Sequence, residues 1–325
     1  MLRSAAFRIA KTFGILPLAV KGFIRFELTR QAQRKGLRLR ILPQGTLAVA
    51  ERPRAGGMGR EIRIAARHLP YAPDIVGNFD YWHGAVEPTL VDGVAVVDYS
   101  TERLHVQRPS GDVLRYTGFA EPEETTRIYL GHAALAPGDL VLDFGAYCGG
   151  ATLAFARSVR PGGHVVAFEP DPANASVLRQ NILRHGLSNV TVIEAGIWSE
   201  STELSFVAEG NMGSAIAQLL PRAVASHVVP VLSLRDAVSR ACEVSRLETV
   251  AFLKFDIEGA ELAVLKAGAE LLRTHRPRLV IEPHNIRQAD GSVRLNRDDV
   301  IAELSRLDYR CDLAAQGSLI LATPR

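Results

Sequence analysis

The chain has 325 residues, 47% hydrophobic and 22% charged, with 27 Gly, 17 Pro, three Cys and a formal net charge of +3. A chain of this size buries about three quarters of its unfolded surface, which excludes disorder as the main state. No stretch approaches the ~20 apolar residues that span a bilayer. Cys148, Cys242 and Cys311 are odd in number, far apart and free of C-x-x-C spacing, so neither a disulfide framework nor structural zinc is indicated and a reducing cytoplasm is expected.

Residues 1–40 carry ten Lys or Arg against Glu27 alone, a local charge of +9 that leaves −6 for the rest. The apolar residues of this basic amphipathic segment fall irregularly between the charges and Pro17 interrupts them, which predicts a broken helix at a surface. Either it touches anionic lipid or acidic glycan peripherally, or it packs on the body with a solvated basic face. A secretion signal is disfavoured because Lys21 follows the short apolar stretch and no small-x-small cleavage site precedes it. Residues 41–119 read as a small β-rich accessory region. Short strands at 94–99, 104–107 and 113–116 predict an antiparallel meander, its second break carrying the turn residues Pro109-Ser110-Gly111-Asp112. A helix over 121–135 ends at Pro137-Gly138-Asp139 and opens the main domain, 120–325.

From residue 140 the pattern is regular. Apolar strands at 140–144, 165–168, 190–193, 250–255 and 279–281 alternate with helix-length stretches such as 151–160 and 172–185, which predicts an α/β, Rossmann-like parallel sheet covered on both faces. The link between 309–313 and 319–322 is too short for a crossover helix, so these two strands form a C-terminal antiparallel hairpin.

Sites in such folds gather at the carboxyl ends of the strands. The first strand ends in Asp143-Phe144-Gly145-Ala146-Tyr147-Cys148-Gly149, a D-x-G-x-x-x-G turn rather than the G-x-G-x-x-G of a pyrophosphate site. Asp143 would repel phosphate, but suits the amino and sulfonium end of S-adenosylmethionine, directly or through the loop amides it orders. About 20 residues on, Glu169-Pro170 places an acid where both hydroxyls of a ribose can donate to it, while Asp171 before Pro172 is the better helix cap. The third strand, 189–198, ends in Ala195-Gly196-Ile197, small enough to flank an adenine with backbone contacts. On the fourth strand, strand alternation puts Lys254, Asp256 and Glu258 on one side, where buried charges are costly unless paired or functional. Either Lys254 and a carboxylate fix the strand end, or Asp256, Glu258, Glu282 and His284 converge at the mouth of a catalytic site.

The segments Leu142-Asp143-Phe144-Gly145-Ala146, Phe168-Glu169-Pro170, Gly213-Ser214-Ala215, Lys254-Phe255-Asp256-Ile257-Glu258-Gly259-Ala260-Glu261 and Ile281-Glu282-Pro283-His284, in this order, resemble the FkbM-type methyltransferases. The K-x-D-x-E-G-x-E block makes the likeness specific. It covers about 120–325 and implies a seven-strand sheet with the terminal hairpin, S-adenosylmethionine as cofactor, and a hydroxyl on a sugar, glycan or natural product as acceptor. By the resemblance Asp143, Gly145, Ala146 and Glu169 go to the cofactor, with Gly149, Pro170, Ala195, Gly196 and Ile197 expected to line the same pocket. For chemistry, His284 or Asp256 is the expected general base, with Lys254 holding Asp256 or stabilising a developing alkoxide. A variant places Mg²⁺ on Asp256, Glu282 and His284.

Three rivals belong to other classes. A nicotinamide oxidoreductase would use a similar sheet. A non-catalytic member would bind a glycan or a partner protein. Nucleic-acid methylation is disfavoured because no N-P-P-Y or D-P-P-Y block is present and the acidic body repels phosphate.

Overall fold

The computed structural model describes residues 18–51, 58–208, 210, 213–216, 227–287, 293–294 and 296–325, so residues 1–17 of the basic segment lie outside the described residues. Two compact units divide between Glu123 and Glu124.

In the first unit the described residues open in helix α1, Leu18–Arg34. It leads into β1 (Leu37–Ile41), so the described part of the basic segment joins the accessory sheet rather than ending at a linker. β1 pairs antiparallel with β2 (Leu47–Glu51), and β2 with β3 (Gly59–Ile64). Two short helices follow, α2 (Ala72–Gly77) and α3 (Phe79–Gly84), then β4 (Thr89–Val91) and β5 (Val94–Tyr99). The five strands order as β1-β2-β3-β5-β4, with β3 and β5 parallel. Alternation sorts the faces: Val49, Ile62, Ile64, Val97 and Tyr99 are buried, while Glu61 on the other face pairs with Arg40 and Arg63. β6 (Arg103–Val106) and β7 (Val113–Tyr116) form a separate hairpin. The predicted three-strand meander is therefore corrected: only its second turn is a hairpin, and Val94–Tyr99 is taken by the longer ladder with Gly59–Ile64.

The core of this unit is aromatic and polar. Phe119 packs against His68, Tyr71, Trp82 and Tyr99 with ring centroids 5.0, 5.3, 5.4 and 5.5 Å away. Burial depresses the His68 and His105 imidazoles to about 4. Both rings are neutral when folded but charge below pH 6.5 when unfolded, so the unfolded chain binds more protons as pH falls. The expected outcome is a loss of first-unit stability between pH 6.5 and 4, about 1.4 kcal/mol per pH unit per histidine, read as acid-shifted urea unfolding that His105→Gln flattens.

The second unit opens with α4 (Glu123–Ala133) and then β8 (Leu140–Phe144), α5 (Gly150–Ser158), β9 (His164–Phe168), α6 (Pro172–Arg184) and β10 (Val190–Ile193). There follow β11 (Gly196–Trp198), β12 (Thr202–Val207), β13 (Ala215–Ile216), β14 (His227–Ser233) and α7 (Leu234–Ser245). β15 (Val250–Phe255), α8 (Glu261–Ala267), α9 (Ala269–His275), β16 (Arg278–Ile281), β17 (Ile286–Arg287) and β18 (Val293–Arg294) come next. The unit closes with α10 (Arg297–Arg306), β19 (Tyr309–Ala314) and β20 (Leu319–Pro324).

The main sheet has seven strands in the order β10-β9-β8-β15-β16-β20-β19, with β20 antiparallel to both neighbours. This is the predicted Rossmann-like sheet with its terminal hairpin. The third predicted strand, 189–198, is in fact two. The Ala195 N–H turns back on the Ile193 carbonyl at 2.9 Å, ending β10 and sending Gly196–Trp198 into a second sheet ordered β11-β14-β12-β13. No helix among the described residues is long and apolar enough to cross a membrane.

Candidate active site

Strand register builds the site. Phe144 pairs with Phe168 on one side and Phe255 on the other, and Phe255 pairs with Ile281. All four are fully buried, with the Phe144 ring 4.9 Å from that of Phe168 and 5.0 Å from that of Phe255. This apolar row is a floor. The next residue on each strand, Gly145, Glu169, Asp256 and Glu282, leaves the sheet at one level, which is why motifs far apart in sequence meet.

At the first turn, Gly145, Tyr147 and Gly149 are left-handed with φ of 78°, 49° and 91°. The N–H groups of Gly145 and Ala146 both donate to the Phe168 carbonyl at 3.0 Å. A Cβ on Gly145 would lie 1.9 Å from the Asp256 carbonyl oxygen, so glycine is what lets the first and fourth strand ends close together. The buried carboxylate of Glu169 accepts the Tyr147 N–H at 2.8 Å, the Asp171 N–H at 2.9 Å and a long 3.5 Å bond from Asn174. Burial pushes its pKa up to about 8 against the pull of those two N–H donors. Asp171 caps α6 through the N–H groups of Ala173 and Asn174, as expected from sequence, and its other oxygen accepts from Gly210 N–H at 2.9 Å and Ser214 Oγ at 2.6 Å. That second task assigns a place to the Gly213-Ser214-Ala215 block. Pro170 packs beside Gly196, where a Cβ would sit 3.7 Å from it and 3.2 Å from Val231, while Ala195 and Ile197 are buried.

Asp143 and Lys254 are cross-strand neighbours one residue below the phenylalanine row. Lys254 Nζ lies 3.2 Å from Asp143 Oδ1 and 3.7 Å from Asp256 Oδ2, and donates to the Gly145 carbonyl at 2.7 Å. Thr152 Oγ1 donates to the other Asp143 oxygen at 2.6 Å. Both charges are almost wholly buried, so Asp143 orders the glycine turn and presents no free charge to a ligand. Of the alternatives read from the sequence, the geometry accords with the indirect one for Asp143 and with Lys254 fixing the strand end as an ion pair.

Asp256, Glu258 and His284 do converge. His284 Nε2 is 3.8 Å from Asp256 Oδ1 and 3.8 Å from Glu258 Oε1, and its Nδ1 is 3.0 Å from Glu261 Oε1. Glu258 is held at φ 53°, a left-handed conformation that a non-glycine residue adopts only where the surroundings impose it. Burial opposes charging of the imidazole, but Glu258, Glu261 and Asp256 overcome it and raise the His284 pKa. Burial, with Asp256 and Glu258 nearby, raises Glu282 to about 7. Glu261 and Asn296 are the functional residues the sequence reading missed. The fully buried Glu261 accepts the Gly259 N–H at 3.1 Å and Asn296 Nδ2 at 3.0 Å while it holds the imidazole. The signal for Glu261 was present as the last acid of the K-x-D-x-E-G-x-E block; Asn296 carried none.

The Mg²⁺ expectation is corrected. Among the described residues no three His, Cys, Asp or Glu side chains close on one point, Asp256, Glu282 and His284 included. One imidazole nitrogen is engaged by Glu261, while Mg²⁺ takes oxygen donors in near-octahedral array. An adenosyl group does fit these residues: a buried acid stands after the second strand, and a glycine-pinched turn of N–H groups stands after the first.

Similarity to known proteins agrees with this geometry. The methyltransferase FkbM domain matches residues 143–311. A 31-O-demethyl-FK506 methyltransferase from Streptomyces tacrolimicus is 31% identical over 202 residues, covering 52% of this chain and 75% of that protein. Among solved structures, an FkbM methyltransferase from Methylobacillus flagellatus KT is 19% identical with a TM-score of 0.39, over 58% of this chain and 44% of that one. A SAM-dependent methyltransferase from Aquifex aeolicus is 15% identical with a TM-score of 0.37, over 63% and 94%. With its family blocks falling on the strand ends that form the site, the chain belongs to the FkbM methyltransferase family and is an S-adenosylmethionine-dependent methyltransferase.

Proposed function

We propose that this methyltransferase acts on a hydroxyl oxygen of a sugar or natural-product acceptor, with Asp256 taking the hydroxyl proton. The convergence of Asp256 and Glu258 on the doubly held His284 carries the reading. When bound, the sulfonium supplies an electrophilic methyl group. Glu169, with the glycine turn it fastens, orients the adenosyl end, so the acceptor needs in-line placement and a proton sink.

The S–CH₃ bond breaks, an O–CH₃ bond forms, and the hydroxyl proton passes to the Asp256 carboxylate. Of the two expected bases, Asp256 is favoured because His284 is kept charged by three carboxylates and orients Asp256 and Glu258 instead. Glu282, raised to about 7 by burial and by the nearby Asp256, is suited to pass the proton on to water. Lys254 is a positioning residue that fixes Asp256 from below. The Streptomyces relative is itself named for a 31-O-demethyl compound, which supports oxygen as the acceptor atom.

Incubation with methyl-labelled cofactor and matched hydroxyl, amine and thiol forms of sugar and macrolide acceptors tests the reading by mass spectrometry. Label is expected on oxygen alone. Label on nitrogen, sulfur or carbon would overturn the hydroxyl assignment.

A further inference from the structure

Three segments of the active site are tied together by one buried side chain. Glu261 opens α8 and is wholly buried. Its Oε1 accepts the Gly259 N–H at 3.1 Å and lies 3.0 Å from His284 Nδ1, while its Oε2 accepts from Asn296 Nδ2 at 3.0 Å. These donors stand on the turn after β15, on the segment after β16 and at the start of α10, all outside the helix that Glu261 opens.

Each contact settles an orientation. A carboxylate only accepts, so the proton between the two side chains sits on His284 Nδ1. A half-turn of the ring about its Cβ–Cγ bond would put carbon where each nitrogen stands. The bond to Glu261 therefore selects the one orientation in which Nε2 faces Asp256 and Glu258, 3.8 Å from each. The same Oε1 grips Gly259, the neighbour of Glu258, and these two residues are both left-handed, with φ of 108° and 53°. Such a backbone persists where its surroundings over-determine it. Asn296 has forgone its ordinary use. It occupies the N-cap position of α10, which its side chain could cap, yet it makes no side-chain cap bond and gives its amide to Glu261.

We propose that Glu261 is the positioning residue of the methyl transfer: from behind His284 it fixes both the ring edge that Asp256 and Glu258 share and the turn that carries Glu258, with Asn296 as its anchor. The inference rests on Asp256 as the proton acceptor. An ion pair that served stability alone would leave the chemistry indifferent to which ring edge faces outward. The groups around the ring also fix a sign with pH. Asp256 and Glu258 face it from the end of β15, Glu261 from α8 and Glu282 from its own segment, while α10 brings only the neutral Asn296. Burial disfavours the imidazolium, and Glu258, Glu261 and Asp256 restore it. The charged ring is the form that attracts both carboxylates, so activity falls as pH rises through its titration. Removing the Glu261 charge moves that fall to lower pH.

Glu261→Gln, which keeps the shape and removes the charge, tests the proposal. It is expected to lower kcat about 10- to 100-fold, the scale of a misplaced reacting group, with S-adenosylhomocysteine binding unchanged. The alkaline limb of its pH profile and the NMR titration midpoint of the His284 ring should both shift toward acid. A folded variant with the parent's kcat and an unmoved alkaline limb would overturn the inference; if Asp256→Asn is inactive at the same time, the Asp256 reading stands without it. Should Glu261→Gln fail to fold, the parent decides. Nitrogen NMR of the histidine-labelled parent at about pH 7 is expected to show His284 Nδ1 protonated and hydrogen-bonded, and a ring with its proton on Nε2 alone overturns the inference.

Discussion

Asp256→Asn is expected to lower turnover by about a hundred- to ten-thousand-fold while the protein still binds S-adenosylhomocysteine like the parent. The substitution keeps the size of the side chain and removes its capacity to take a proton. Its Oδ1 sits 3.8 Å from His284 Nε2 and its Oδ2 3.7 Å from Lys254 Nζ, so an amide there loses both charged partners without leaving a cavity. The glycine turn meets Asp256 at its backbone carbonyl, which the substitution keeps, and Glu169 is fastened by the Tyr147 and Asp171 N–H groups, which is why cofactor affinity should hold. The pH profile sharpens the test. Glu282, raised to about 7, must be ionised to receive a proton, so activity should rise with pH through about 7 in the parent. Glu282→Gln, which makes the neutral form permanent, should lose that limb and stay near the parent's low-pH rate throughout. Unchanged turnover in Asp256→Asn would remove Asp256 from the chemistry.

Glu169→Gln should weaken S-adenosylhomocysteine binding about 10- to 100-fold, the loss expected when a buried carboxylate no longer accepts charge-assisted bonds from two ribose hydroxyls. The sign of its pH dependence follows from its environment. In the free protein burial raises Glu169 to about 8, so at neutral pH the group is mostly protonated. Hydroxyl donors favour the ionised form, and ligand binding therefore releases a proton. Affinity should increase as pH rises toward 8 and level off above it. Calorimetry in buffers of different ionisation enthalpy should show proton release in the parent and none in Glu169→Gln. The same shift makes the free protein less stable as pH rises, since a group whose folded pKa lies above its unfolded value loses its contribution between about 4.5 and 8.

The main sheet was legible because buried parallel strands are continuous apolar runs, and Leu140–Phe144 and Val250–Phe255 match their predicted limits. Glu169 and Asp171 were separable by chemistry alone, since only the residue before Pro172 can cap the helix. What escaped depended on three-dimensional partners. The direction of the Asp143 carboxylate is set by Lys254, 111 positions away in sequence, through a cross-strand register that no local pattern encodes. Asn296 enters the site only because α10 begins beside α8, and Glu261 looks like an ordinary helix-start acid until its burial and its bond to His284 are seen. The accessory sheet was misread as a meander because β3 and β5 pair in parallel across two short helices, a connection that leaves no turn signature.

Titration of the purified chain with S-adenosylhomocysteine, followed by heat and by melting temperature, probes the adenosyl site most directly. Saturable one-site binding that Glu169→Gln weakens and that gains strength toward pH 8 is the predicted result. No heat and no melting shift from the parent, or binding indifferent to Glu169, would contradict the placement of the cofactor on the row of strand ends that follows Phe144, Phe168 and Phe255.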